Sequence, residues 1–249
     1  MLKVYSTKTS LLVRAITVPA HSNESPSPIV SYFFDPRSDD RIYIATSDCR
    51  LFLWDIANGK EVSRWSLGLR GLRSVGACRD EVLDSPESAV LFAVGGNNDV
   101  WRINLLTSKK SEKKKLYAGR HTIRALSAVD GGRALCLIAG NEVVVLNRNG
   151  SEWDANPRIY TTAHTLTCLD VYCPADTGKE KKNKKTPRRG GDVVVGDTEG
   201  ALFVLHDIVR PGKSADRTPV KFHWHRHAPS AVKLALDGTF ATVHRISLV

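Results

Sequence analysis

Three histidines stand close together near the end of the chain, in the stretch HWHRH. They are His223, His225 and His227. Side chains alternate along a strand, which would place His223 and His225 on one face and Trp224 on the other. Two imidazoles on one face supply only part of a zinc site, which needs three or four protein ligands. No Cys, Asp or Glu nearby obviously completes the set, so the pattern favours histidines that hydrogen-bond at a strand edge, and we expect no metal.

Histidines also recur before apolar segments, where they could be read as catalytic bases. His121, His164 and His227 open the stretches HTIRAL, HTLTCL and HAPSAV. This periodic placement favours a structural role. The glycine pair in AVGGNND has neither a G-x-G-x-x-G pattern nor a Walker lysine, and no HExxH or nucleophile elbow is present. The sequence predicts a protein without catalytic residues, without a cofactor and without a small-molecule substrate.

The strongest charge signal comes from two basic runs. The run KEKKNKKTPRR at Lys179–Arg189 has seven cations and one glutamate, and KKSEKKK at Lys109–Lys115 has five cations and one glutamate. Together they hold the whole formal excess of +10. The cations are Lys179, Lys181, Lys182, Lys184, Lys185, Arg188 and Arg189 in one run, and Lys109, Lys110, Lys113, Lys114 and Lys115 in the other.

Three interpretations of the basic runs stay open. A run of like charge is often a solvated loop without a task. It is also typical of a nuclear or nucleolar localisation signal. Finally, clustered cations bind the phosphates of RNA with strong salt dependence and little sequence specificity. No aromatic residues are interleaved with the cations, so base readout by stacking is not supported.

The composition is that of a folded protein of the cytosol or nucleus. The 249 residues are 42% hydrophobic, which is enough for a core. The five cysteines include no C-x-x-C pair, and four lie in apolar runs, as buried reduced thiols do. No signal peptide is recognisable, and no apolar run approaches the roughly 18 residues of a membrane-spanning helix, so no membrane partner is expected.

Short apolar segments recur at a regular interval along the chain. Five of them end in matched residues separated by 49, 49, 43 and 59 positions. These residues are Tyr5, Trp54, Ile103, Leu146 and Leu205. The longest interval contains Lys179–Arg189, and removing about a dozen inserted residues brings it near the common period, which is close to the 40–45 of a four-stranded propeller blade.

Each repeat divides into four strands, a to d. The strands of the first repeat are PIVSYFF, RIYIATS, RLFLWDI and KEVSRWS, and those of the second are LRSVGAC, SAVLFAVGG, DVWRINL and KKKLYAG. The strands of the third repeat are TIRALSA, RALCLIAG, EVVVLNR and PRIYTTA, and those of the fourth are TLTCLDVYC, DVVVGDT, ALFVLHD and PVKFHWH. The first segment, LKVYSTKTSLLV, supplies strands c and d of another unit, and SAVKLALDGTFATV supplies strands a and b. The sequence predicts an all-β fold.

These repeats resemble the WD-repeat β-propeller family. The stretch LFLWDIANGKEV at Leu51–Val62 carries the one Trp-Asp pair, Trp54 and Asp55. The resemblance implies that a histidine before strand a hydrogen-bonds with a Ser or Thr of strand b and an Asp of the b–c turn. The positions that match this pattern are His121, His164 and His227, with Asp48 and Asp197 in the turns.

The family resemblance implies four full blades and a split or partial fifth. Either the last two strands pair with the first two and close a five-bladed ring, or the chain is a piece of a larger propeller, which we favour. We expect one domain over 1–249, a disordered basic insertion at 179–190 and a tail at 244–249 outside the repeats. Strands a and c run parallel, so both basic runs should project from one face, on which RDEVLDSPE adds negative charge.

A narrower resemblance concerns the stretch KFHWHRHAPSAVKLALDGTF at Lys221–Phe240. It is similar to nucleolar WD-repeat subunits of the small-subunit processome. This resemblance implies a scaffold in pre-ribosomal RNA processing and ribosomal RNA transcription, located in the nucleus and nucleolus. Its partners would be other propeller proteins of a multi-subunit complex, with pre-ribosomal RNA or small nucleolar RNA on the basic loops. The alternative is a cytoplasmic WD-repeat adaptor in a ubiquitin-ligase or trafficking complex.

Overall fold

All regular structure in the described residues of the computed structural model is β. The model describes residues 1–6, 8–19, 27–35, 38–79, 89–105, 111–129, 134–150, 152–172, 191–206, 208, 219–223, 225–234 and 239–244. No helix in these ranges has the length and apolar character needed to cross a membrane. The chain divides into two compact units, Met1–Gly119 and Arg120–Val249, which are described separately below.

The first unit holds a two-stranded hairpin and two four-stranded sheets. The hairpin is β1 (Leu2–Tyr5) and β2 (Leu12–Ile16). Sheet I is β3 (Ile29–Asp35), β4 (Ser38–Thr46), β5 (Arg50–Asp55) and β6 (Lys60–Ser66). Sheet II is β7 (Leu72–Arg79), β8 (Ala89–Gly95), β9 (Asp99–Leu105) and β10 (Ser111–Ala118).

The second unit repeats this plan with the hairpin at its end. Sheet III is β11 (Ile123–Val129), β12 (Ala134–Ala139), β13 (Glu142–Asn149) and β15 (Arg158–Thr161), with β14 (Glu152–Trp153) paired to the end of β13. Sheet IV is β16 (Leu166–Tyr172), β17 (Asp192–Asp197), β18 (Ala201–Leu205) and β19 (Val220–His223). The hairpin is β20 (Pro229–Leu234) and β21 (Phe240–His244).

The four predicted four-stranded units and the two half units are confirmed. Consecutive strands pair antiparallel in every sheet, which is the arrangement that short connections allow. The middle strands of each sheet carry buried apolar segments, such as Ile42–Ala45 of β4 and Val143–Leu146 of β13, because neighbouring layers cover both of their faces.

Sheet I shows how alternation divides its residues between two cores. Ile42 and Ile44 of β4 pack with Ile16 of the hairpin, whereas Tyr43 and Ala45 pack with residues of sheet II. Neighbouring residues of one strand therefore pack into cores on opposite faces of the sheet, since side chains alternate between faces. In the second unit the same division holds for β17, whose Val193 and Val195 join one core and Val194 the other.

A register shift recurs at the start of strand a in all five units that have one. The shifts fall between Ile29 and Ser31, Leu72 and Ser74, Ile123 and Ala125, Leu166 and Cys168, and Pro229 and Ala231. A bulge places one extra residue on its strand and redirects that side chain. The repeated bulge marks β20 as a strand a, as its sequence predicts.

Sheet III contains one short strand more than the prediction. The predicted strand d is present as β15, and β14 is added because β13 runs on to Asn149 and the chain folds back at Gly150, whose φ is +62°. Asn149 Nδ2 donates to Asp154 Oδ1 at 2.9 Å and closes this turn. The predicted tail at 244–249 lies outside the described residues, apart from the backbone of His244, which ends β21.

Among the cysteines whose side chains the structure describes, Cys49, Cys136 and Cys168 are free and buried. Burial raises the pKa of the Cys49 thiol and that of the Cys168 thiol above the ordinary value, because a thiolate is poorly solvated in an apolar core. At neutral pH these two groups are protonated and poorly nucleophilic, which fits a role in packing.

Candidate functional site

The basic run of sheet II is partly integrated into strand β10. Lys109 and Lys110 lie outside the described residues. Lys113 Nζ donates to the backbone oxygens of Leu67 and Gly68 at 3.1 and 3.3 Å. Lys113 therefore holds the connection between sheets I and II and is less available to a partner than an isolated lysine.

Lys115 has a structural role on the same strand. Its Nζ lies 2.7 Å from Oδ1 of Asp99, a residue that is 6% exposed at the start of β9. Asn97 donates to the other oxygen of that carboxylate, so the negative charge is both paired and hydrogen-bonded. Lys114 lies between Lys113 and Lys115, points to the opposite face and is exposed. It is the described lysine of this run most accessible to an RNA or protein partner.

The second basic run is placed by the strands on either side of it. Lys179–Arg189 lies outside the described residues. Tyr172, the last residue of β16, pairs with Asp192, the first residue of β17. The segment between them therefore connects strands a and b of sheet IV, where the repeat spacing puts the insertion. The localisation and RNA-binding roles of its seven cations stay predictions.

Asp48, in the turn between β4 and β5, is the centre of a polar network. Thr46 Oγ1 donates to Asp48 Oδ1, and Arg50 Nε donates to Asp48 Oδ2, both at 2.5 Å. Burial by itself would raise the pKa of Asp48, but hydrogen bonds from Thr46, Ser27 and Arg50, together with the charge of Arg50, lower it below the ordinary value. The carboxylate thus neutralises Arg50, whose side chain is only 9% exposed.

The Trp-Asp pair lies at the other end of sheet I. Asp55 accepts hydrogen bonds from the backbone and side-chain amides of Asn58, each at 2.8 Å, and these bonds lower the pKa of its carboxyl group. Asp55 therefore closes the turn from β5 to β6. Trp54 is half-buried and packs against the core shared with the β1–β2 hairpin. The indole N–H of Trp54 has no hydrogen-bond partner among the described residues.

Asp197 closes the b–c turn of sheet IV and is completely buried. Its Oδ1 accepts the backbone N–H groups of Glu199 and Ala201 at 3.0 and 2.8 Å, and its Oδ2 has no partner among the described residues. The family resemblance implies a bond from His164 to this carboxylate, but His164 is exposed and that bond is not formed. The short turn satisfies one carboxylate oxygen with backbone donors instead.

The other two repeat histidines also lie at the surface. His121 packs on Gly140 of the b–c turn, where an added methyl group would come within 3.3 Å of its Cβ and Cγ. His227 is exposed, and its backbone oxygen lies near Gly200 in the b–c turn of sheet IV. At both positions the chain before strand a packs on the nearby turn, and the imidazole ring is not the buried brace that the resemblance implies.

His223 and His225 of the HWHRH stretch each make a separate hydrogen bond. His223 Nε2 lies 3.1 Å from the backbone oxygen of Glu199, and His225 Nε2 lies 2.7 Å from Thr242 Oγ1. Within the described part of the chain no three His, Cys, Asp or Glu side chains come together as a metal site would require. The hydrogen-bonding interpretation therefore accounts for His223 and His225.

One buried carboxylate has a structural role that the sequence analysis missed. Asp170 is 9% exposed in β16, accepts the backbone N–H of Leu234 at 2.8 Å and pairs with Lys233 Nζ at 2.8 Å. It fastens β20 onto sheet IV. The sequence carried a signal for this role, because a single acidic residue lies within the apolar stretch TCLDVY and a buried carboxylate needs a partner.

Comparison with known proteins defines the fold. No protein-family model matches the chain, and no curated protein matches it. Many solved structures do match. One is the crystal structure of the Cps50 (Swd1) β-propeller domain of Myceliophteria thermophila, with a TM-score of 0.58 and 10% sequence identity.

The match covers 86% of this chain and 63% of that one, so the chain spans less than two thirds of the matched structure. At 10% identity the likeness shows the fold and nothing finer. The strand order of sheets I to IV, their repeated bulge and this match agree with one another. The chain has the fold of a WD-repeat β-propeller.

Proposed function

We propose that this protein is a non-catalytic WD-repeat scaffold in a multi-subunit complex. The observation that carries the proposal is the propeller fold itself, which repeats one sheet and leaves its connecting loops free to vary. WD-repeat propellers typically serve as scaffolds, and loops on a rigid β framework are where such proteins vary their contacts. The polar groups described above brace turns and strands, which is consistent with a structural role.

The more specific proposal is a role in ribosome biogenesis. It rests on the resemblance of Lys221–Phe240 to U-three small nucleolar RNA-associated protein seventeen and on the basic insertion in sheet IV. Under this proposal the protein acts in the nucleolus, in pre-ribosomal RNA processing and ribosomal RNA transcription. Other propeller proteins would contact its loops, and the insertion would bind pre-ribosomal or small nucleolar RNA through phosphates. The second candidate, a cytoplasmic adaptor, is favoured only by the generality of the fold.

A substitution of the insertion separates these two functions. In tagged full-length protein, the seven cations of Lys179–Arg189 would be replaced by serine and glutamine at unchanged length. We expect loss of nucleolar localisation and of RNA crosslinking. The salt dependence of RNA binding in vitro should also fall, by up to about 0.7 in log–log slope for each cation that contacts phosphate.

The matched control replaces Lys113 and Lys115, whose charges are used within the fold, and should leave localisation unchanged in protein that remains folded. The ribosomal proposal is refuted if the unsubstituted protein is cytoplasmic and crosslinks to no RNA.

A further inference from the structure

Ser27 and Pro28 join the chain that enters sheet I to the b–c turn of the same sheet. The Ser27 hydroxyl donates a hydrogen bond to the carboxylate of Asp48 in that turn. The backbone oxygen of Pro28 accepts the N–H of Ser47, a second residue of the turn, at 2.9 Å. One side-chain bond and one backbone bond therefore hold the start of β3 against the turn between β4 and β5.

Ser27 stands at the position that a histidine holds in sheets III and IV. His121 and His164, like Ser27, lie two residues before the strand a of their sheet. Both histidines are exposed, whereas Ser27 is half-buried and bonded to the turn carboxylate. In sheet I the contact that the family resemblance implies for histidine is thus made by a serine, whose hydroxyl group is open to phosphorylation.

The residue after Ser27 makes it a candidate for a particular class of kinase. Proline-directed protein kinases modify a serine or threonine that is followed by proline. A residue before proline is also restricted to the extended conformation in which kinases bind their substrates. Pro28 is exposed. The chain has four other pairs of this kind, which lie outside the described residues and begin at Ser25, Ser85, Thr186 and Thr218.

Arg50 has an unused hydrogen-bond donor beside this network. Its side chain is 9% exposed, and Nε and Nη1 donate to Asp48 and to the backbone oxygen of Pro19. Nη2 is buried and has no hydrogen-bond partner among the described residues. Because Ser27 and Arg50 both bond to Asp48, a phosphate on Ser27 comes within reach of Nη2, and a guanidinium group binds phosphate well.

The same phosphate also meets a like charge. A phosphoserine side chain carries nearly two negative charges and no hydroxyl proton to donate, so the bond from Ser27 to Asp48 is lost and repulsion replaces it. Arg50 then faces about three negative charges where it now faces one. A single guanidinium group does not neutralise that excess, so Asp48 and the phosphate move apart, and the start of β3 separates from the b–c turn.

We propose that Ser27 is a phosphorylation site of a proline-directed protein kinase, and that its phosphate releases the start of β3 from the turn between β4 and β5. In the transfer, Ser27 Oγ bonds to the γ-phosphorus of ATP and the bond from that phosphorus to the bridging oxygen breaks, so that ADP leaves. The hydroxyl proton passes to the carboxylate base of the kinase. This modification is independent of the ribosomal role proposed above.

The first experiment tests whether the folded chain is a substrate. Full-length protein with the other four Ser-Pro and Thr-Pro hydroxyl residues replaced by alanine is incubated with a mitogen-activated protein kinase and Mg-ATP, and mass spectrometry locates the phosphate. We expect phosphate on Ser27, at least about tenfold less of it with Pro28→Ala, and none at that position with Ser27→Ala. The same phosphopeptide is expected in tagged full-length protein purified from dividing cells with phosphatase inhibitors.

Two results of that experiment would overturn the proposal. One is modification of Ser27 only after the chain has been unfolded by heat, because the fold would then exclude the kinase. The other is absence of the phosphopeptide from cells.

The second experiment measures hydrogen exchange in phosphorylated and unmodified full-length protein. The amide of Ser47, which is bonded to Pro28, should exchange at least about tenfold faster after phosphorylation. Ser27→Ala removes the hydroxyl without adding charge and should accelerate exchange less. In Asp48→Asn protein the phosphate no longer faces a like charge, so its effect on exchange should be smaller. Exchange that phosphorylation leaves unchanged, or accelerates equally in both backgrounds, would rule out the release.

The matched control is Ser63→Asp, at a half-buried serine on β6 of the same sheet. It should leave exchange of the Ser47 amide within about twofold. Ser27→Asp should accelerate that exchange in the same direction as the phosphate, and acceleration by both variants alike would show a general loss of stability in place of a local release.

Discussion

At the scale of single residues, carboxylates in turns and strands of this protein pair with cations of the same chain. Asp48 neutralises Arg50, Asp99 pairs with Lys115 and Asp170 pairs with Lys233. A buried or half-buried carboxylate is retained where a cation and hydrogen-bond donors surround it, because an unpaired charge away from water is costly. Of the positions that resemble the family pattern, Asp48 and Asp197 therefore brace turns of the fold, whereas the rings of His121, His164 and His227 do not act as buried braces.

The Asp48 network gives a pH-dependent prediction. Asp48→Asn removes the charge that neutralises Arg50, so we expect a loss of about 2 kcal/mol in the free energy of unfolding at pH 7. The folded pKa of Asp48 lies below the unfolded value of 3.8, so its contribution is present above pH 3.8 and is lost as the pH falls through the lowered pKa. Urea denaturation at pH 7 and in steps below pH 4 measures this.

The control for that experiment is Asp55→Asn, at a carboxylate whose main bonds are to Asn58 within its own turn. It should destabilise the protein less than Asp48→Asn at pH 7. A difference between Asp48→Asn and the unsubstituted protein that stays constant as the pH falls would show that the charge of Asp48 is not what stabilises the turn.

At the scale of elements, each b–c turn is locked against the chain that enters the next strand a. Gly119 N donates to Asn98 O at 2.9 Å, and Leu166 N donates to Gly140 O at 2.8 Å. The turns approach so closely that some positions accept only glycine. A methyl group on Gly200 would lie 2.2 Å from the backbone oxygen of His225.

Gly150 and Gly200 both have positive φ, and replacing each by alanine distinguishes the cost of backbone strain from the cost of close packing. Gly200 has φ +84° and backbone atoms against it, whereas Gly150 has φ +62° and nothing within 4 Å of an added methyl group. Gly150→Ala should cost about 1 kcal/mol, from backbone strain alone. Gly200→Ala should cost at least about 3 kcal/mol, because the turn must also move away from the linker. Chemical denaturation of both variants measures the two costs, and equal costs would contradict the packing described.

The sequence predicted the elements better than it predicted their polar contacts. Strand positions followed from alternation and turn residues, because a sheet covered on both faces needs apolar middle strands. The hairpin at Gly150 was missed because the segment around β14 is short and polar. The exposed positions of His121, His164 and His227 could not be predicted, since the orientation of a side chain depends on packing at a turn and not on its place in a repeat.

At the scale of the whole molecule, charge and apolar exposure are separated along the chain. The excess charge lies in two runs, and of these Lys113 and Lys115 are already bonded within the fold. The seven cations of the other run belong to the insertion in sheet IV, which lies outside the described residues. Among the described residues, seven of the eleven exposed large hydrophobic side chains lie in the first 34 positions.

The central proposal is that this propeller is a scaffold subunit of a nucleolar pre-ribosomal complex. The most direct measurement is native purification of the tagged full-length protein from cells, followed by mass spectrometry and sequencing of the bound RNA. The account predicts other propeller proteins together with pre-ribosomal or small nucleolar RNA, in stoichiometric amounts. Recovery of ubiquitin-ligase or trafficking subunits without RNA would contradict it.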